Sequence, residues 1–342
     1  MKKVAIVIIG DEILLGRVTD TNSGAISRVI DPTGCKVIKI LTVGDNKKSI
    51  ETAVNEALTT ADIVFTTGGL GPTKDDITKK VLCETFNSEF VRDETVVENI
   101  KNIFSAKGLE LNKLTFDQAL VPANCHIIQN IYGTAPIMVF HREDKTLVSM
   151  PGVPNETEGM LPAVVNYLKN YYGLNHGFNH ATRVLTGISE SALAENLDAY
   201  ENSLPEGFSL AYLPASPILK LRLDAPDSTD VFDDYVAELD STLNNIKEVT
   251  LLAGEDISLA EIVIKNLKAK GLTISTAESC TGGNIAHLLT TVSGASDVFY
   301  GSVVSYANEV KSNVLDVGKE TLLRHGAVSS PVVLQMVEGV AR

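Results

Sequence analysis

The feature that most restricts the fold of this chain is a short β-branched run that breaks into glycine and resumes as a helix. Asp62-Ile63-Val64-Phe65 leads into Thr66-Thr67-Gly68-Gly69-Leu70-Gly71-Pro72-Thr73-Lys74-Asp75-Asp76, and Ile77, Val81 and Leu82 then fall on one face at helical spacing. Gly68, Gly69 and Gly71 let backbone amides approach a ligand closely, and the helix start adds partial positive charge. An anion, phosphate above all, is the expected guest. Asp75 and Asp76 beside that anion would repel it unless a divalent cation lies between them. The same residues also describe a plain turn with an acidic helix start, which the helix dipole favours by itself.

The flanking pattern extends this unit into an α/β domain. Residues 4–9 form a continuous apolar run of the kind buried in a parallel sheet, ending at Gly10. The loop from Gly10 through Asp11, Glu12, Asp20, Asn22 and Ser23 suits a ligand loop at the carboxyl end of that strand, although its acids equally suit helix caps. A helix over 22–30, a strand over 36–43 and a helix over 49–59 follow, so strands and helices alternate and right-handed crossovers are expected. Asp45, in the turn after the second strand, is either a site residue or the cap of the next helix. Helical spacing returns over 94–106 and 115–120, strands are expected over 125–129, 136–140 and 146–150, and Gly133-Thr134-Ala135-Pro136 makes a turn. Pro151-Gly152-Val153-Pro154 then rigidifies the entry to a helix whose first turn holds Glu156, a residue that capping alone explains.

Residues 171–177 lack periodicity and read as a linker. His176 and His180 have a metal-sharing spacing, but Gly177 intervenes and no acid accompanies them, which argues against a metal site. A small α+β unit follows: strand 182–186, helix 190–200, strands 208–213 and 218–223, helix 231–243. It lacks the G-x-x-G clamp and basic flanks of an RNA-binding module, and its size suits positioning or dimerising its neighbours. A third unit starts with helix 259–269 and strand 272–276 and reaches Ala277-Glu278-Ser279-Cys280-Thr281-Gly282-Gly283 before helix 285–289. Ser279 at that junction is either a helix N-cap or a nucleophile with helix-start amides for its oxyanion. Tyr306 and, one helical turn on, Lys311 supply a tyrosine-assisted Ser-Lys pair, which is chemically sufficient.

With 342 residues, two or three domains are expected. A formal net charge of -14 disfavours broad nucleic-acid or anionic-membrane binding. Cys35, Cys83, Cys125 and Cys280 are widely spaced, suggesting neither a zinc ribbon nor a disulfide framework and fitting a reducing cytoplasm. Residues 1–9 are too short for a secretion signal or a membrane span.

Taken together, the Gly10-to-Asn22 loop, Val43-Gly44-Asp45-Asn46, the glycine turn through Asp76, Gly133-Thr134-Ala135-Pro136, Met150-Pro151-Gly152-Val153-Pro154 and the Ala277-to-Gly283 stretch resemble, in order, the motifs of the CinA family, competence/damage-inducible protein A. The resemblance implies a molybdopterin-binding-like three-layer domain over 1–172, a KH-like module over 173–253 and a deamidase-like domain over 254–342. It implies that the first domain hydrolyses ADP-ribose to AMP and ribose 5-phosphate with Mg, Mn or Co. Asp45 and Asp76 would act in catalysis, Asp75 and Asp76 would hold the metal, and Gly10, Asp11, Glu12, Asn22, Gly68, Gly69, Gly71, Thr73, Gly133, Thr134, Pro151 and Gly152 would bind substrate. In the last domain Ser279, Tyr306 and Lys311 match the nucleophile and activators of a nicotinamide mononucleotide deamidase. A cytoplasmic homodimer is expected. Family members continue beyond the position of Arg342, inside an amphipathic pattern, so a truncated deamidase domain with little or no activity is expected. Two other readings stand beside this one: a pterin or nucleotide binder without turnover, and a non-enzymatic partner in DNA uptake or damage response.

Overall fold

The structure, a computed structural model, describes residues 2–73, 75–174, 177–226 and 230–342, with the backbone alone for Phe178. The chain divides into two compact units, residues 1–179 with 226–229, and residues 180–225 with 230–342.

The first unit is built on strands β1 (Lys3–Ile9), β2 (Lys36–Val43) and β3 (Ile63–Thr67), a short side ribbon of β4 (Phe90–Arg92) and β5 (Leu120–Pro122), and strands β6 (His126–Ile128), β7 (Ile137–Arg142) and β8 (Lys145–Met150). The main sheet has the order β2-β1-β3-β8-β7-β6. Its first four strands are parallel; β7 pairs antiparallel to β8 and β6 antiparallel to β7, extending one edge. The helices are α1 (Asp11–Leu14), α2 (Asn22–Ile30), α3 (Lys47–Thr60), α4 (Thr78–Thr85), α5 (Glu94–Ala106), α6 (Lys113–Phe116) and α7 (Pro154–Tyr172).

The continuous apolar run of β1 follows from burial on both faces. Val4, Ile6 and Ile8 pack with Ile26 and Ile30 of α2 and Leu161, Val164 and Leu168 of α7. Ala5, Val7 and Ile9 pack with Ile50, Val54 and Ala57 of α3 and Val81 and Leu82 of α4. Three layers result, as expected.

One local expectation fails. Residues 115–120 do not form a helix: α6 ends at Phe116, a 3-10 turn covers Asp117–Ala119, and Leu120 opens β5. Asn112 starts the short helix by accepting from Thr115 N at 2.9 Å, and Pro122 lacks the amide that a continuing helix would need.

The second unit carries a sheet of β9 (Phe178–Thr186), β10 (Ser209–Ala215), β11 (Ile218–Pro226) and β12 (Thr250–Ala253) in the order β10-β11-β9-β12, covered by α8 (Glu190–Ser203) and α9 (Phe232–Asn244). Leu193, Leu197, Leu239 and Leu243 bury its leucine-rich face. His176 lies outside the described residues, and His180 pairs through Nδ1 with Asp224 at 2.6 Å. Next come α10 (Leu259–Lys270), parallel strands β13 (Ile274–Glu278) and β14 (Phe299–Val304), and helices α11 (Asn284–Thr290), α12 (Asn308–Leu315), α13 (Lys319–His325) and α14 (Ser330–Val340). All four cysteines are free. Among the described residues no helix is long and apolar enough to cross a membrane.

Candidate active sites

All four parallel strands of the first unit deliver a loop to the same end of the sheet, the carboxyl end, where open α/β sheets bind ligands. Between these loops lies a cleft of about 480 Å³, lined by Gly10 and Glu12 after β1, Asp45 after β2, Gly68, Gly69, Gly71, Asp75 and Asp76 after β3, and Pro151 and Gly152 after β8. Asn22, Thr134, Gln118 and Glu156 complete its wall.

The glycine turn is required by sterics. Gly68 and Gly69 hold φ of 104° and 66°, and a side chain on Gly152 would begin 3.2 Å from the Gly68 backbone. Among the described residues, the amides of Gly69, Leu70 and Gly71 have no acceptor. Such adjacent unsatisfied amides form an anion-binding concavity.

The open question about Asp45 is resolved by its neighbour. Asn46, not Asp45, caps α3, accepting from Ser49 N at 3.0 Å. Asp45 instead accepts from the Asp11 amide at 2.8 Å, and Asp11 accepts from the Asp45 amide at 3.3 Å. Burial pushes the Asp45 carboxyl above its usual range; the Asp11 amide opposes this, and the charges of Glu12, Asp11 and Asp75 add to it. Glu156 is likewise no cap: the helix begins without a side-chain cap, and the carboxylate accepts from Asn130 Nδ2 at 2.7 Å. Asp11, Thr73 and Gly133 do not line this cleft but touch residues that do. Thr73 donates to Asp76 Oδ2 from its amide at 2.8 Å and its hydroxyl at 2.5 Å, and Gly133 leaves room for the Glu156 carboxylate.

The donor set of the cleft is all oxygen, which suits a hard divalent cation. No three His, Cys, Asp or Glu side chains among the described residues gather into a ligand cluster. A cation here would therefore rest on one or two carboxylates, with Asp75 and Asp76 in reach of the glycine turn, and on ligand oxygens.

In the second unit, Glu278 ends β13 and its carboxylate folds back onto the start of α11. It accepts from the amides of Gly283 (3.0 Å), Ile285 (3.1 Å) and Ala286 (2.8 Å). Burial pushes this carboxyl up, but the Ala286 and Ile285 amides with the Thr281 and Ser302 hydroxyls outweigh it and hold it below its usual range. Glu278 thus takes the capping role considered for Ser279. It also occupies the helix-start amides, which corrects the expectation that they stabilise an oxyanion.

Ser279 is left to face Lys311, which is 1% exposed. Lys311 Nζ lies 3.2 Å from Ser279 Oγ, 2.5 Å from the Ser305 carbonyl and 3.2 Å from the Tyr306 carbonyl. The amine donates to both carbonyls and to Ser279 Oγ, which fixes the serine hydroxyl beside it. Tyr306 does not join through its phenol: the side chain is 77% exposed, and the residue touches Lys311 through its carbonyl.

Sequence reasoning missed Gln118, Asn130 and Glu278 as functional or supporting residues, and read Glu156 as a cap.

Residues 5–170 match the family described as "Probable molybdopterin binding domain", and residues 256–342 match "CinA C-terminal domain". The chain is 41% identical to a CinA-like protein of Cytophaga hutchinsonii over 98% of this chain and 81% of that one. It is 39% identical to a CinA-like protein of Flavobacterium psychrophilum over 99% of this chain and 82% of that one. Among solved structures, the protein CinA from Thermoplasma acidophilum matches 49% of this chain and 98% of its own at 31% identity, with a TM-score of 0.45.

Proposed function

Because this chain belongs to the CinA family, with a molybdopterin-binding-type domain followed by a CinA C-terminal domain, we propose that its first cleft hydrolyses the diphosphate of ADP-ribose to AMP and ribose 5-phosphate. The observation that carries this reading is the juxtaposition of three open amides, at Gly69, Leu70 and Gly71, with the carboxylates of Asp75 and Asp76 in one cleft. The amides bind one phosphate. Asp75 and Asp76 would hold a Mg, Mn or Co ion shared with the diphosphate, which when bound neutralises charge on the leaving oxygen. Asp45, with its raised proton affinity, orients the attacking water and takes its proton. The water oxygen bonds to phosphorus, the bridging P–O bond breaks, and its electron pair leaves with the departing phosphate.

A pterin or nucleotide binder would need the amides but not the acidic pair. The test is product analysis after incubation of the chain with ADP-ribose and each metal, for wild type and Asp76→Asn. The substitution keeps an acceptor oxygen for Thr73 and removes a charge, so turnover should fall by orders of magnitude while folding survives. Unchanged hydrolysis refutes the assignment, and binding without turnover in the wild type favours the binder.

A second reading rests on the Lys311 Nζ to Ser279 Oγ approach of 3.2 Å. Ser279 serves as nucleophile and Lys311 as its base in amide hydrolysis of the nicotinamide mononucleotide type.

A further inference from the structure

The main cleft shares part of its wall with a second cavity, of about 240 Å³, which the hydrolytic reading leaves unused: Gly71, Pro72 and Asp76 line both. The glycine turn thus borders two spaces, and they differ in chemistry. Among the described residues no aromatic side chain lines the main cleft. The second cavity is walled by Phe90 of β4, Leu114 of α6 and Leu120 of β5, together with Lys79, Lys80 and Asp117. Phe90 is 43% exposed and Leu114 62%, so both side chains are open to a ligand. Among the described side chains Phe90 is the one exposed phenylalanine. Phe116, by contrast, is already covered by the Arg92 guanidinium at 4.7 Å.

The wall is held in place by bonds of the protein itself. Lys79 Nζ donates to the carbonyls of Gln118 (2.8 Å) and Leu120 (2.9 Å), and Gln118 Nε2 donates to the Leu70 carbonyl at 3.3 Å. The segment carrying Asp117 and Leu120 is therefore tied both to α4 and to the glycine turn. Phe90 is held by the β4–β5 ribbon, where it pairs with Pro122. A ring mounted on a braced ribbon loses little freedom when a ligand covers it. The formal charges lining this cavity cancel, Lys79 and Lys80 against Asp76 and Asp117, which gives a second phosphate no net attraction. Phe90, Leu114 and Leu120 add apolar surface that a sugar does not match. A planar, uncharged heteroaromatic ring suits both features, because its face stacks on a phenyl ring and its edge nitrogens accept hydrogen bonds from amines.

We propose that the second cavity is the nucleobase subsite of the first cleft, with Phe90 as the residue on which the base stacks. The base arm of a nucleoside diphosphate enters this cavity, and the sugar on the other phosphate stays in the main cleft, where Glu12, Asp45 and Glu156 supply acceptors for its hydroxyls. The proposal rests on the reading of the main cleft as a diphosphate site, but it concerns binding and not turnover.

The test uses the non-hydrolysable α,β-methylene analogue of ADP-ribose and a counterpart in which methyl replaces adenosine. Affinities are measured by calorimetry with wild type, Phe90→Ala and Phe90→Tyr. Wild type should bind the parent about tenfold more tightly than the methyl counterpart, Phe90→Ala should lose that preference, and Phe90→Tyr, which keeps a ring, should retain it. The preference is a ratio within one variant, so partial loss of folded protein does not change it. In wild type with labelled phenylalanine, the ring-proton signals of Phe90 should also move upfield with the parent and stay in place with the counterpart. Equal affinity of wild type for the two compounds, an undiminished preference in Phe90→Ala, or unmoved Phe90 signals overturns the proposal while leaving the diphosphate reading of the main cleft intact. Phe90 signals that move on dilution of the free protein, and not with ligand, would overturn it in favour of a second copy of the chain covering the ring. A Phe90-dependent preference in a wild type that does not hydrolyse ADP-ribose would sustain it and defeat the hydrolytic reading instead.

Discussion

The chain uses one local plan twice, a strand that breaks through glycine into a helix, and the two copies have opposite electrostatics. After β3, the amides of Gly69, Leu70 and Gly71 remain open among the described residues, and the acids that follow are tied to Thr73 and not to those amides. After β13, Glu278 places its own carboxylate on the amides of Gly283, Ile285 and Ala286. The first junction thus leaves its amides free for the anion proposed above. The second already contains its anion, and the strand end it stabilises presents Ser279 to Lys311. A glycine-rich turn before a helix therefore does not specify a phosphate site by itself; what decides is whether a neighbouring side chain has already used the amides.

The comparison breaks most visibly if the second junction lacks an activated serine. Labelling by a serine-directed fluorophosphonate, read by mass spectrometry, should occur at Ser279 and fall about a thousandfold in Lys311→Met, the scale of a general base. ADP-ribose hydrolysis should be untouched by that substitution. Equal labelling in both proteins would mean that Lys311 is only a structural amine. At the first junction, Gly69→Ala places a side chain against Thr78 Oγ1 at a positive φ, so the open amides cannot keep their geometry. Turnover of ADP-ribose should drop about a hundredfold, as misplacement near 1 Å does. Full activity would remove the amides from the account.

The smallest effect sharpens the second junction. Glu278→Gln should lower unfolding stability in urea by about 2 kcal/mol, since one carboxylate loses charge-assisted bonds to three amides. The sign with pH follows from a folded-state carboxyl held below its usual range. Its contribution is complete above the ordinary glutamate range and is lost as pH falls through the lowered value, so the difference between wild type and variant should shrink from about pH 6 to about pH 3. A difference that grows on acidification would contradict the capping role.

Much of the first site was legible because strand periodicity and glycine positions act locally. Residues 4–9, 36–43 and 63–67 alternate with helical stretches, and that alternation alone sends Gly10, Asp45 and Gly68 to one sheet edge. Gln118 and Asn130 were not legible, because their roles depend on backbone reversals far along the chain. Gln118 sits where helical spacing is broken by a 3-10 turn before β5, and only Pro122 hinted at the break. Asn130 is fully buried and bonds Glu156, the Ala135 carbonyl and the amides of Tyr132 and Gly133, a loop-holding role that no periodicity records. At the second site, Ser279 and Lys311 were found by chemistry, whereas Glu278 read as an ordinary strand end. Its signal was an acid close before Gly282-Gly283, where the helix dipole favours negative charge. Tyr306 matched a motif position, but its side chain points to solvent.

The most direct measurement is a ¹H–¹⁵N titration of the labelled chain with the α,β-methylene analogue of ADP-ribose. The amide signals of Gly69, Leu70 and Gly71 should move downfield together and saturate with one affinity, while those of Gly283, Ile285 and Ala286, already bound by Glu278, should stay in place. Unmoved signals at residues 69–71, or movement at 283–286 in their stead, would contradict the assignment of the anion seat to the first junction.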